Sequence, residues 1–419
     1  MRSAVDSILK FNRGFHPFSL RTKLDKMSSS AFVFFRGTFH LFASDVLDGP
    51  FRKWPSTATS GQIIGDLHTG NFGTFRSISG EIVYDINDFD ETAPAPYEYD
   101  IRRLATSLIV AALDNKHALS HGVAAAEACV SGYLDTLGRL AKLKTKIEFE
   151  RLKERKDVRS VLSSAAERSR VDMLRGLVAE SSAGAFVIDC KQNYLPLDTK
   201  ERETVKQALP RFLKNCIAPE NSHPERYAFQ DAAFRIAGCG SLGRQRYAIL
   251  LGKAKGGKQT LSTLRIVEWK DSLDSSLVVP RPRQSKNRAR DILQATLAFQ
   301  LLPKRYLGFT AIDRHPMQAR EIGANDARFQ HKEFRDAARF LHAARIFGEI
   351  TARAHLISTL GKKGPRALLR ELAGRQDRWV NRLVAFAVAY TDRTLDDYQE
   401  FLARRSELGE KWALTEPRA

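Results

Sequence analysis

Asp66, Asn71 five positions later and Asp88 seventeen positions beyond that are the residues whose types and spacing could do chemistry. They lie in Gly65-Asp66-Leu67-His68-Thr69-Gly70-Asn71 and in Asn87-Asp88-Phe89-Asp90-Glu91. A loop carboxylate can orient or deprotonate an attacking hydroxyl, while an amide oxygen and a second carboxylate hold Mg²⁺ against nucleotide phosphates. Mg²⁺ keeps several waters and needs only one or two protein carboxylates. Aspartate and asparagine also favour plain turns. The spacing, after a strand and across a hairpin, favours the phosphoryl-transfer reading. Asp90 is either a ligand to a second metal or, with Glu91, on the solvated side of the loop. His68 is assigned to the catalytic segment, steadying the loop by hydrogen bonding rather than serving as general base.

Local patterning supplies the elements that must position these groups. A short strand at 62–64 runs into the first acidic loop, and strands at 72–76 and 81–86 form a hairpin across Ser79-Gly80. After a turn containing Pro94 and Pro96, a helix starts near Tyr97 with Ile101, Leu104, Leu108 and Ala112 on one face. Upstream, 28–47 reads as one helix, with serines as N-cap candidates and Phe32, Phe35, Phe39 and Phe42 as a core stripe. Residues 118–225 read as mostly helical, with a linker at Asn221-Ser222-His223-Pro224. Strands follow at 234–237, 246–251 and 261–269, the last pair joined by a turn at 253–258. A helix at 287–301, a strand at 306–312 and helices over 326–409 complete the pattern.

Gly238-Cys239-Gly240-Ser241-Leu242-Gly243 joins the first two of those later strands, and Lys270 ends the third. Alone, a glycine-rich turn is a weak signal. With the acidic loops, Gly238, Gly240, Ser241 and Gly243 become candidates to present backbone N–H groups to phosphates, and Lys270 a candidate phosphate contact. Asp291, or a neighbour on its helix, is the expected carboxylate partner of Lys270. Arg36, among phenylalanines, calls for an acidic partner or a phosphate. His355 reads as a core histidine.

GDLHTGNF and YDINDFDE resemble the catalytic loop and metal-binding segment of the protein-kinase-like superfamily, most nearly its aminoglycoside and choline kinase branch. That branch runs HGDxHxxN, then IDFxD/E, then a downstream aspartate. The resemblance implies that Asp66 is the catalytic aspartate and that Asn71 and Asp88 bind the metal. It also implies that Asp100, in Tyr99-Asp100-Ile101, supports the loop. Ile64 stands where that branch has histidine. A narrower resemblance, to the bacterial family called domain of unknown function 2252, spans about residues 12–400. It rests on KMSSSAFVFFRG at 26–37, GDLHTGNFG at 65–73, NDFDE at 87–91, GCGSLG at 238–243, Lys270-Asp271 and Ala352-Arg353-Ala354-His355. In kinases the glycine-rich loop and its lysine precede the catalytic loop, whereas here their candidates follow it. The expectation is therefore an α+β, two-lobed, circularly permuted kinase-like fold with additional helices. Residues 1–150 hold the catalytic loop, 151–230 a helical insertion or linker, 231–320 the nucleotide-binding strands and 321–419 a C-terminal helical part.

The implied activity is ATP- and Mg²⁺-dependent phosphoryl transfer to a hydroxyl of a small molecule or protein. Nucleotidyl transfer on the same scaffold is the alternative, because fold does not fix reaction. A third reading is a non-catalytic basic regulatory protein that binds nucleic acid or an acidic partner. The net charge of +19 over 419 residues attracts polyanions. Its basic residues are spread out, however, and the densest run, 142–159, alternates with acids as a solvated helix would, so nucleic acid is the less favoured partner. The apolar content of 43% excludes a disordered chain. No apolar run is long enough to span a bilayer, and the first residues lack a secretory pattern, so a cytoplasmic location is expected. Four dispersed cysteines without a CxxC pair argue against a zinc ribbon.

Overall fold

The helix expected near Tyr97 runs from Glu98 to Asp114 and is buried along most of its length, because other elements pack on every side of it. The computed structural model describes residues 3–146, 148, 159–182, 185–191, 193–218, 227–254, 259–278, 287–328, 336–360 and 364–411. The architecture is mixed α+β. Helices Glu98–Asp114, Leu119–Leu140, Ala337–Ser358 and Gln376–Ala403 form the helical body, sharing a core that includes Ile101, Tyr133, Leu356 and Leu383.

Beside that body lie two small antiparallel units. Strand β1 (Ser60–Ile63) pairs with β4 (Ala93–Pro96), while β2 (Phe72–Arg76) and β3 (Ile82–Ile86) make the expected hairpin. The sequence around Pro94 and Pro96 was expected to be a turn; it is a strand. The two prolines share one parity, so both missing N–H groups fall on the same side of a two-stranded ribbon. The pair Phe72↔Ile86 closes the hairpin base, and Asn87 N donates to Asn71 O at 2.9 Å just beyond it. That register places Asp88 next to the loop that holds Asn71.

Strands β5 (Val178–Glu180) and β6 (Phe186–Ile188) form a short ribbon. The main sheet joins β7 (Tyr194–Pro196), β8 (Tyr227–Arg235), β9 (Arg246–Lys253), β10 (Arg265–Asp271), β11 (Gly308–Ile312) and β12 (His315–Glu321). Its order is β11-β12-β10-β9-β8-β7, antiparallel throughout. Strand β13 (Ala327–Arg328) then pairs with β2. Three-residue strands carry too little periodicity to be recognised, which is why β5 to β7 read as helix. Strand β12, whose polar residues interrupt the expected apolar pattern, was missed as well. Strand β8 starts well before 234 and crosses residue 230, and residues 261–263 form a 3₁₀ turn rather than strand.

The helix Arg288–Phe299 locks sheet to body. Its Ile292 and Phe299 join Phe72, Ile86, Leu104, Leu108 and Phe347 in one core. Each such buried side chain contributes about 1.5–3 kcal/mol relative to exposure. The expected single helix at 28–47 is two, Ala31–Gly37 and Phe39–Leu47, broken at Thr38, whose hydroxyl bonds back to Phe34 O at 2.8 Å. Ser30 caps the first by accepting from Val33 N at 3.2 Å. Most of the charged run 142–159, the turn residues 255–258 and the linker 221–224 lie outside the described residues. Among those residues no helix is long and apolar enough to cross a membrane, and the four cysteines are free.

Candidate functional site

The first acidic loop is pinned from beneath by Asp100. Its carboxylate accepts from Ile64 N and Gly65 N, each at 2.8 Å, and meets His355 Nε2 at 2.9 Å. His355 Nδ1 lies 3.0 Å from the Tyr133 hydroxyl, so the histidine is a satisfied core residue, with Asp100 and itself fully buried. The chain turns at Gly65 with φ +100°, and a Cβ there would lie 2.1 Å from Glu91 O. Only glycine fits that approach, and it brings the two acidic segments together.

Asp66 projects from this turn and is paired with Arg103, whose Nη2 and Nε lie 2.9 and 3.0 Å from Asp66 Oδ1. The guanidinium also donates to Phe35 O at 2.6 Å and stacks 3.4 Å from the Phe35 ring centroid. Burial pushes the Asp66 carboxyl up to about 7, against the opposing pull of Arg103. A carboxyl poised near neutrality can change protonation state during a proton transfer. Burial, reinforced by the charges of Arg36, Arg103 and Arg328, holds His68 well below the ordinary imidazole range, so the ring is neutral. Its buried Nδ1 makes no hydrogen bond, so the expected hydrogen bonding from that atom is not seen.

Asn71 Nδ2 donates to Asp66 O at 2.7 Å, which fixes the amide and turns its oxygen to the other side. Asp88 keeps 29% side-chain exposure, with Asp90 N at 3.4 Å and Lys270 Nζ at 3.9 Å. Asn71 Oδ1 and the Asp88 carboxylate are thus oxygen donors that fit a Mg²⁺ retaining most of its water. Among the described residues no group of three or more His, Cys, Asp or Glu side chains is arranged to hold a metal. Asp90 does not add a free ligand: Oδ2 pairs with Lys270 and Oδ1 accepts from Gln318 Nε2 at 2.6 Å. Although burial opposes it, the charges of Lys270 and Arg244 hold the Asp90 carboxyl well below the usual range. Glu91 is buried rather than solvated, accepting from Ser276 N at 2.7 Å and meeting Arg244 Nη2 at 3.5 Å.

Lys270 sits near the end of β10, 2% exposed, and its partners are Asp90 and Asp88. Asp291 is exposed on the first turn of its helix and does not take that role. Instead Arg288 of the same helix donates to Asp90 O at 2.7 Å and Thr92 O at 2.8 Å. Burial lowers the Lys270 ammonium, opposed by the two aspartates. The glycine-rich loop lies above, tied down by the N-terminal segment. Lys23 Nζ donates to Gly240 O at 3.0 Å, His16 N donates to Gly243 O at 3.0 Å, and Arg246 Nη2 donates to Ser241 Oγ at 2.5 Å.

One small cleft of about 60 Å³ brings together Asp66, His68, Asn71, Asp88, Asp90, Gly238, Gly240, Ser241 and Arg36. Lys270, Asp100 and Gly243 are not among its lining residues; Lys270 is tied to the cleft through Asp88 and Asp90, which are. A larger cavity of about 390 Å³ adjoins it and shares Asp88, Gly238, Arg246, Arg320 and Arg328. Sequence reading missed Arg103, Gln318 and the arginines 244, 246, 320 and 328. A signal existed for Arg103, which with Arg102 interrupts an otherwise apolar helix, and for Arg244 and Arg246, which flank the glycine-rich loop. Gln318 and Arg320 come from β12, which was not expected. Arg246, Arg235 and Arg320 surround the buried Glu268 and, outweighing burial, hold its carboxyl well below the usual range.

The family model described as "Uncharacterized protein conserved in bacteria (DUF2252)" matches residues 16–404, and the chain belongs to that family. No curated protein and no solved structure matches the chain.

Proposed function

We propose that this DUF2252 member is a phosphotransferase that uses ATP and Mg²⁺ to phosphorylate a hydroxyl, on a circularly permuted kinase-like arrangement. The observation that carries the reading is the approach of Lys270 Nζ to 3.9 Å from Asp88 Oδ1, in residues 182 positions apart in the chain. Lys270 lies on the third of three consecutive antiparallel strands whose first pair is joined by the glycine-rich loop. A kinase places its glycine-rich loop and lysine in that relation, with a metal-binding aspartate facing the lysine. The difference lies in the lysine's partner, which is Asp90 of the metal segment instead of a helix carboxylate.

Asn71 and Asp88 would hold Mg²⁺, and Lys270 with the 238–243 backbone would hold the phosphates. The nucleotide supplies the activated phosphoryl group, and the metal neutralises its charge. Asp66 orients the acceptor hydroxyl and takes up its proton; Arg103 fixes the carboxylate and stabilises its ionised form. The adjoining cavity has a volume in the range of small-ligand pockets, which suits a nucleoside. Catalysis then comes from positioning and fixed charge.

Calorimetric titration of Mg·ATP into wild type and Asp88→Ala tests the reading. Binding that requires Mg²⁺ and weakens at least about tenfold in the variant, the size of one lost charged contact, is the expected result. A wild type that binds no nucleotide overturns it. The mass added to any acceptor then separates phosphoryl from nucleotidyl transfer.

A further inference from the structure

One arginine of the cleft, Arg36, has no ion pair among the described residues. Arg244 faces Asp90 and Glu91, and Arg246 and Arg320 share Glu268. The buried Nε of Arg36 has no hydrogen-bond partner among those residues. Arg328, on β13, makes no ion pair or hydrogen bond among those residues, although the negative charge of Asp88 acts on it. Both line the cleft that holds Asp66 and His68.

Arg36 is held in place by close packing rather than by charge. Its guanidinium lies 5.7 Å from the Phe32 ring centroid. A Cβ on Gly70 would sit 3.1 Å from Arg36 Nε and Cζ and 3.2 Å from His68 Cε1, so the glycine lets the guanidinium lie on the catalytic loop. A fixed guanidinium fork without a carboxylate matches the geometry of a phosphate or carboxylate ligand. Its part-burial is costly until such an anion arrives.

We propose that Arg36, with Arg328 as a second charge on the lining, forms an anion subsite in the cleft that holds Asp66, and that it takes a phosphate or carboxylate group carried by the acceptor. This rests on the phosphotransferase reading. Arg36 lines the Asp66 cleft but not the larger cavity next to it, whereas Arg328 lines both, and Gly238, Gly240 and Ser241 line the cleft beside Arg36. Nucleotide affinity is therefore the control that distinguishes an acceptor's anion from a nucleotide phosphate. On this proposal the acceptor class is a hydroxyl compound bearing an anionic group, held so that its hydroxyl faces Asp66.

Inorganic phosphate is the probe. Its binding to the full-length chain is followed by ³¹P line broadening in wild type, Arg36→Gln, Arg328→Gln and the double variant. Affinity for a non-hydrolysable Mg·ATP analogue is measured on the same preparations, and thermal unfolding checks that each is folded. The expected result is an approximately tenfold loss of phosphate affinity in Arg36→Gln, the size of a charged hydrogen bond, with analogue affinity unchanged in that variant. Arg36→Lys keeps the charge without the fork and should fall between wild type and glutamine. Phosphate binding that survives in the double variant overturns the subsite. Analogue affinity that falls in parallel in Arg36→Gln overturns the acceptor role and gives the subsite to the nucleotide. If the wild type binds phosphate through these arginines but binds no analogue, the phosphotransferase reading and the acceptor role fall while the anion site stands.

Discussion

The protonation of Asp66 can be followed without knowing the acceptor. Burial raises its carboxyl to about 7 from the 3.8 of an ordinary aspartate, with Arg103 pulling the other way. Between those two values the folded chain keeps a proton that the unfolded chain has released. The unfolded state therefore binds fewer protons, and stability falls as pH rises through the window. Each pH unit is worth about 1.4 kcal/mol, so pH 5 to 7 removes roughly 2–3 kcal/mol, and the loss levels off above 7. Asp66→Asn cannot titrate, yet leaves the shape nearly unchanged. Urea unfolding of both proteins at pH 5, 6, 7 and 8 isolates the effect. The variant should gain roughly 2–3 kcal/mol on the wild type between pH 5 and 7 and nothing further by pH 8. A difference that stays constant from pH 5 to 8 would refute the reasoning, because Asp66 would then be ionised throughout. The same titration should appear as a rise through pH 7 in the turnover of any accepted substrate.

Asp100→Asn places an NH₂ donor against a backbone N–H where the carboxylate now accepts from Ile64 and Gly65. It should cost about 2–4 kcal/mol, seen as a lower thermal midpoint, and should weaken Mg·nucleotide binding because the Asp66 loop loses its anchor. Lys23, lowered by burial to about 7, binds fewer protons folded than unfolded between that value and its ordinary 10.5, so it makes stability rise with pH over that window. Lys23→Met should abolish that rise, read from urea midpoints at pH 7, 8 and 9.

Local sequence was sufficient where the physics is local. The hairpin β2–β3 followed from period-two patterning and a Ser-Gly turn, and the helix Glu98–Asp114 from its apolar face. Asp66, Asn71 and Asp88 lie within 23 positions of one another, joined by that hairpin, so their grouping was legible before any tertiary contact. The supporting role of Asp100 was implied only by the family resemblance, although its contacts with Ile64 and Gly65 span just 36 and 35 positions. The pairing of Lys270 with Asp90 was not legible, and Asp291 was the expected partner. Neither were the convergence of Gln318 on Asp90 and of Arg244 on Glu91. These contacts span 153 to 228 positions. Which charge neutralises which is decided by the packing of the sheet against the helical body, not by spacing along the chain. The protonation states of Asp66 and His68 depend on the same packing, since desolvation acts through everything that surrounds a group. So the sequence by itself determined the chemical parts and the short elements that carry them. Only the tertiary structure decided that Lys270 faces the aspartates and that Arg36 has no ion pair among the described residues. Both outcomes depend on burial, which is a property of the whole fold.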